Sequence, residues 1–141
     1  MIKFILLVNK DGQSRLSRYY HNILGEEREN LERETIQKCL PRSKKECSFL
    51  EYQNMMLIYR RYMSLFFIVG VDSDENELSI LELIQNLVET FDRYFNDVSE
   101  LDITMNVEKA YMILDEMILN GHIIETSKNR ILAPIYATEN N

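Results

Sequence analysis

The chain has 141 residues, of which 45% are hydrophobic and 28% are charged, and this composition is typical of one globular domain and excludes a disordered chain. The formal net charge of −7 disfavours a nucleic acid as the main partner, because binding to phosphates needs a basic surface. Cys39 and Cys47 are too few for a disulfide framework and lack the spacing of a metal site, so reduced thiols are expected.

A hairpin and a helix are predicted at the start of the chain. Residues 2–8 are apolar on both faces, which is typical of a buried strand. The Asp-Gly pair at 11–12 favours a tight turn into a more polar strand over residues 14–20. Residues 26–42 then carry an apolar stripe at helical spacing, and this helix is expected to end at Pro41.

Three strands in succession are predicted next. The first two cover residues 47–52 and 55–62, with a turn at 53–54. The third ends at Val71 and holds the longest nearly uninterrupted apolar run of the chain, which indicates a strand buried on both faces. A break near residues 62–64 is expected to make a hairpin, although neither Gly nor Pro stands there.

The strongest periodic signal predicts a long helix over residues 75–98. An Asp or Ser residue in the preceding loop is expected to cap it. Its apolar residues recur at helical spacing, and they are Ile80, Leu81, Ile84, Leu87, Val88, Phe91, Tyr94, Phe95 and Val98.

Shorter helices are predicted in the last third of the chain. Ser99 is expected to cap a short one over residues 100–105, and Asn106 is expected to cap the next. A last helical turn over residues 127–133 is expected to stop before Pro134, because proline lacks the amide hydrogen that a helix interior needs.

The element order β-β-α-β-β-β-α-α predicts an α/β (α+β) domain with a five-stranded, mainly antiparallel sheet. Helices are expected on both faces of the sheet, because several strands are apolar on both sides. Residues 1–134 are expected to form this single domain, followed by a flexible tail over residues 135–141.

The sequence contains no motif that predicts an enzyme. It has no glycine-rich phosphate loop, no GxSxG nucleophile motif and no HExxH zinc motif, so neither a metal nor a cofactor is expected. His21 and His122 lie far apart in sequence and are interpreted as surface histidines. The basic and aromatic cluster at 59–62 either meets an anionic partner or pairs with acids of the same or a partner chain.

Four segments in a fixed order carry a family resemblance. They are CSFLEY at 47–52, IYRRY at 58–62, SELD at 99–102 and ILDEM at 113–117. Together they resemble the small, or sigma, chains of heterotetrameric clathrin-adaptor-type complexes, and the likeness runs from residue 1 to about residue 134. Within that family, VGV at 69–71, DENE at 74–77, LNG at 119–121 and RILAP at 130–134 are most similar to the sigma type of the fourth adaptor complex.

The resemblance implies a longin-like fold and a non-enzymatic role in vesicle-mediated protein transport. The implied partners are the trunk of a large adaptin chain, a second large chain and a medium chain. The implied location is cytoplasmic and peripheral, on membranes of the trans-Golgi network, endosomes and coated vesicles. In the family, sigma and a large chain bind acidic dileucine cargo signals, in which an acid precedes two leucines, or Leu-Ile, by four positions. The leucines fill an apolar pocket, and the acid meets a basic side chain.

The same resemblance, applied residue by residue, implies a dileucine-binding site. Arg15 matches the basic position that faces the upstream acid. Met63 stands where dileucine-binding members have a small residue, so it is expected to fill part of the pocket. Asp97 places an acid where a neutral amide is usual, which would repel an acidic signal. The remaining pocket residues are Leu65, Val88, Val98 and Ile103.

A longin-type regulatory domain that binds a SNARE or a small GTPase is the alternative interpretation. A longin SNARE would continue into a heptad-bearing coiled coil and a membrane anchor, whereas this sequence stops at Asn141. No run approaches the roughly 18 apolar residues of a membrane span, and residues 1–8 lack the basic leader of a signal peptide. Any contact with membranes is therefore expected to come through partners.

Overall fold

A computed structural model describes residues 1–23, 25–42 (Arg42 for its backbone alone) and 49–139. Within these residues the main sheet has five strands in the order β2-β1-β5-β4-β3, and each neighbouring pair is antiparallel. The strands are β1 (Ile2–Asn9), β2 (Ser14–Tyr19), β3 (Phe49–Tyr52), β4 (Met55–Tyr62) and β5 (Leu65–Asp72). The predicted sheet is therefore confirmed, although Cys47 and Ser48 of the predicted third strand, and the connection before it, lie outside the described residues.

Helices lie on both faces of the sheet, as predicted. They are α1 (Gly25–Cys39), which runs into a 3-10 turn (Leu40–Arg42), then α2 (Glu77–Phe95), α3 (Glu100–Met105), α4 (Val107–Met117) and α5 (Lys128–Glu139). A small hairpin of β6 (Ile118–Leu119) and β7 (His122–Ile123) connects α4 to α5 and was not predicted.

The middle strands explain why both faces need a helix layer. Successive side chains of a strand point to opposite faces, and β1 and β5 carry large apolar residues at both sets of positions. Leu6 and Ile68 belong to the core under α1, while Leu7 and Phe67 belong to the core under α2, α4 and α5. All four of these side chains are fully buried. The apolar run that ends at Val71 is therefore a strand with no wet face.

Three helix starts show which capping predictions hold. The Asn76 side chain caps α2 by accepting hydrogen bonds from the backbone N–H groups of Leu78 and Ser79, so the predicted Asp or Ser cap is wrong. Ser99 caps α3 as predicted, in a capping box with Asp102. Asn106 makes no side-chain cap for α4, because its amide instead donates to the backbone carbonyl of Asp102 at the end of α3.

The last helix, α5, corrects the prediction for the end of the chain. It continues through Pro134 to Glu139, although an interior proline costs a helix about 3 kcal/mol. Contacts with the rest of the domain offset the cost of this proline. Ile135 is fully buried, which contributes about 1.5–3 kcal/mol, and the Tyr136 ring lies 5.7 Å from the Tyr94 ring of α2. The helix therefore does not stop before Pro134, and the predicted flexible tail is wrong for residues 135–139. Residues 140–141 lie outside the described residues.

Candidate functional site

The residues singled out by the sequence gather around one end of the central sheet. Asn9 at the end of β1 and Tyr62 at the end of β4 both pair with Leu65 at the start of β5. The Tyr62 hydroxyl donates a 2.6 Å hydrogen bond to the Asp92 carboxylate, which ties the end of α2 to the same place. This bond and the negative charge of Asp92 raise the pKa of Tyr62.

Four of the predicted pocket residues belong to one buried core. Their side chains are covered by other parts of the chain and lie in the same cluster as the rings of Phe67 and Phe91. A leucine side chain that entered here would have to displace protein atoms, because the predicted pocket residues are covered in the isolated chain. The four residues are Leu65, Val88, Val98 and Ile103.

Met63 lies in the two-residue loop between β4 and β5, and its side chain is 73% exposed. It therefore does not fill a core cavity in the isolated chain, and its expected place in a dileucine pocket of the complex stays a prediction. The break predicted at this position is confirmed as a tight hairpin. The backbone of Met63 has φ 56°, which is the left-handed region where side chains are disfavoured.

Asp97 is exposed in the turn that leads from α2 to α3. It follows Asn96, and both residues have positive φ, at 71° and 61°. Their backbone N–H groups donate to the carbonyl of Asp92, whose carboxylate also accepts a 2.9 Å hydrogen bond from the N–H of Val98. Asp92 thus holds the whole turn in place, and it was not among the predicted residues.

Arg15 already has an acidic partner. Its Nε donates to Glu100 Oε2 at 2.9 Å, and its Nη2 donates to Gln13 Oε1 at 2.9 Å. The Asn9 amide donates to the same two oxygens, at 3.0 and 2.9 Å. We call Asn9, Gln13, Arg15 and Glu100 the Arg15 cluster. The amide of Asn9 and the guanidinium of Arg15 hold the pKa of Glu100 below its usual range.

The basic cluster at 59–62 is divided between core and surface. Tyr59 is buried, while Arg60 and Arg61 are exposed. Arg60 donates to the side-chain amide oxygen of Gln85 at 2.7 Å, and Arg61 donates to the carbonyl of Met63 at 3.0 Å. Both arginines therefore hydrogen-bond to neutral acceptors and keep their charge at the surface.

Neither a metal centre nor a membrane span stands out in the part of the chain that the structure describes. There, no group of three or more His, Cys, Asp and Glu side chains could hold a metal ion. His21 is half-buried against the carbonyl of Lys3, and His122 is exposed on β7. No helix among the described ones is long and apolar enough to cross a membrane.

Substitution of Met63 should reveal the cost of its backbone conformation. Met63→Gly and Met63→Ala both remove an exposed side chain, but only glycine adopts φ 56° without strain. We expect Met63→Gly to be more stable than Met63→Ala by about 1 kcal/mol. Urea unfolding of the two variants measures the difference, and equal stabilities would contradict a strained hairpin.

Comparison with known proteins places the chain in a family. A family model described as "Clathrin adaptor complex small chain" matches residues 1–141. The "AP-4 complex subunit sigma" of Arabidopsis thaliana is 58% identical over 134 residues, which cover 95% of this chain and 94% of the relative. The "AP-4 complex subunit sigma-1" of Homo sapiens is 56% identical over 135 residues, which cover 96% and 94%.

A structural comparison agrees with the sequence. A structure titled "Homology model of the full-length AP-3 complex in a stretched open conformation" contains a chain that is 31% identical and superposes with a TM-score of 0.79. The match covers 99% of this chain and 94% of that one. The predicted longin-like fold and the predicted likeness to the fourth adaptor complex are confirmed. The chain belongs to the clathrin adaptor complex small chain family.

Proposed function

We propose that this small chain stabilises the core of a four-subunit adaptor complex by packing against the trunk of a large adaptin, beside a second large chain and a medium chain. The two sigma relatives are named as subunits of the AP-4 complex, which supports a complex of that type. The role is structural and non-enzymatic. The protein acts from the cytoplasm in vesicle-mediated sorting at the trans-Golgi network or endosomes and reaches the membrane as part of the complex.

The observation that carries this proposal is an exposed apolar face on α3. Leu101 and Met105 are 65% and 73% exposed, and residues four apart lie on the same side of a helix. The same helix buries Ile103 in the core, so its fold does not depend on the exposed pair. Neighbouring apolar side chains that remain exposed beside a well-packed core are typical of a surface that a partner covers.

Co-expression with an AP-4-type large-chain trunk tests the proposal. The wild-type chain is expected to be recovered with the trunk, and the double variant Leu101→Ser/Met105→Ser is expected to bind it at least about tenfold more weakly, or about 1.4 kcal/mol. Thermal unfolding of the isolated variant is expected to match that of the wild type, which separates lost binding from lost fold. Failure of the wild-type chain to bind any adaptin trunk would refute the proposal.

The assembled complex is proposed to bind acidic dileucine signals at the end of the sheet described above. Support comes from the position of the candidate residues, which flank the β4–β5 loop, the α2–α3 turn and the start of β2. Because the apolar walls are covered in the isolated chain, the large chain or the signal itself has to open them. The candidate residues remain Arg15, Met63, Leu65, Val88, Asp97, Val98 and Ile103.

Titration of an ExxxLL peptide against the assembled complex tests this site. Asp97→Asn is expected to tighten binding by up to about fivefold, since a like charge at an exposed position costs about 0.2–1 kcal/mol. Met63→Ala is expected to tighten binding as well, because it clears the mouth of the site. Unchanged weak binding in both variants would contradict the roles given to these two residues.

A further inference from the structure

We propose that Glu100 competes with the acidic residue of a cargo signal for Arg15. It thereby sets how much that acidic residue contributes to the binding affinity of the signal. This inference rests on the proposed cargo function and adds a specificity-determining residue to it. Glu100 lies 85 positions from Arg15 in sequence, at the start of α3, yet the two form a salt bridge. An arriving signal therefore meets an arginine that is already paired.

The geometry of the salt bridge shows what a signal would have to displace. The Nε and Nη2 groups of arginine point the same way and form the fork that binds a carboxylate through two parallel hydrogen bonds. Here Nε is taken by Glu100 and Nη2 by Gln13. A signal carboxylate can use the whole fork of Arg15 only after Glu100 has released Nε and Gln13 has released Nη2.

Displacement of Glu100 is energetically accessible. The side chains of Arg15 and Glu100 are 31% and 30% exposed, so water screens their attraction. The start of α3 does not depend on Glu100, because Ser99 and Asp102 form the capping box that holds it. Glu100 can therefore leave Arg15 while α3 stays folded.

This exchange has a consequence for specificity. In the wild-type protein the acid of the signal gains Arg15 but releases Glu100, so the two ion pairs nearly cancel. Neutralising Glu100 removes the competing carboxylate. Arg15 can then pair with the acid of a signal without first losing another ion pair. The effect should depend on the acid of the peptide and should be absent from a peptide that carries glutamine in its place.

The experiment measures binding of ExxxLL and QxxxLL peptides to the assembled complex with the wild-type chain and with Glu100→Gln. We expect Glu100→Gln to tighten binding of ExxxLL about two- to fivefold, which is the scale of one partly exposed ion pair, and to leave QxxxLL unchanged. Glu108→Gln is the matched control, because it removes one exposed acid from α4 and alters the net charge equally. In an Arg15→Gln background the gain from Glu100→Gln should disappear.

The outcomes separate this inference from the proposed cargo function. If neither peptide binds any form of the complex, the cargo function fails and the inference fails with it. If both peptides bind but Glu100→Gln leaves their ratio unchanged, the cargo function stands and the inference alone is overturned. Equal tightening by Glu108→Gln would also overturn it, because bulk charge would then explain the gain.

Discussion

Replacement of Phe91 by alanine is expected to lower the free energy of unfolding by about 3–5 kcal/mol. Phe91 is fully buried in α2, beneath the candidate site, and its ring lies 6.4 Å from that of Phe67 and 6.0 Å from that of Phe95. Removal of the ring leaves a cavity between the helix and the middle of the sheet. Domains of this size are stable by only about 5–15 kcal/mol, so this loss is a large fraction of the free energy of unfolding.

Urea unfolding followed by circular dichroism measures the loss. Leu78→Ala is the control, because it removes an apolar side chain from the same helix at a position that is 68% exposed. Its expected effect is below about 0.5 kcal/mol. A loss of less than about 1 kcal/mol in Phe91→Ala would mean that the core around α2 collapses into the space or is packed differently.

Substitution of Gly70 by alanine is expected to cost about 1–3 kcal/mol through overpacking. Gly70 lies in β5, directly beside Phe4 of β1 in the register of the sheet. A Cβ added there would lie 2.2 Å from Cε1 and 2.5 Å from Cζ of Phe4, far inside contact distance. The Phe4 ring is fully buried, and its centroid lies 6.0 Å from that of the Tyr19 ring, so a shift of the Phe4 ring has to move neighbouring core side chains.

A double-mutant cycle identifies the cause of that loss. Phe4→Leu shortens the side chain that the new methyl group would strike, so Gly70→Ala should cost less in a Phe4→Leu background than in the wild type. The expected interaction energy is about 0.5–3 kcal/mol, measured from the unfolding of the four proteins. Strict additivity would show that the close approach to Phe4 is not what requires glycine at this position.

The sheet could be predicted from sequence because its signals are local. The uniform apolarity of β1 and β5 shows that both faces are covered, and the Asp-Gly pair at 11–12 predicts the first hairpin. Short connections also explain the pairings of β1 with β2, of β3 with β4 and of β4 with β5. The pairing of β1 with β5 joins distant segments and has no local signal in the sequence. The hairpin at Met63 was harder, because a methionine with positive φ carries no sequence signature.

The errors share a physical cause, which is competition between a local preference and a distant contact. Pro134 disfavours a helix locally, but the burial of Ile131, Leu132 and Ile135 in the core together offsets this cost. Asn106 has the side chain of a good helix cap, yet α3 ends directly before it and offers its amide another acceptor. Capping residues in a sequence indicate roughly where a helix begins. Tertiary contacts determine which of those residues caps it.

The candidate site could be predicted only in part, for a related reason. The family resemblance indicated Arg15, but nothing near residue 15 or residue 100 in sequence shows that the two meet. Asp92 was hidden in the polar face of a helix, where most acids simply face water. Its contacts to Tyr62 and to the backbone of Val98 arise from the way α2 ends against the sheet.

The position of β1 between β2 and β5 also has a consequence for how the protein is made. Its pairing with β2 is a local hairpin, whereas its pairing with β5 must wait for α1, β3 and β4 to be synthesised. Closing that long loop is slow, because its entropy is lost before the strand contacts compensate. A nascent chain on the ribosome therefore carries an apolar hairpin with one unpaired edge until residues 65–72 emerge. That edge is where chaperones or a neighbouring nascent chain would bind first.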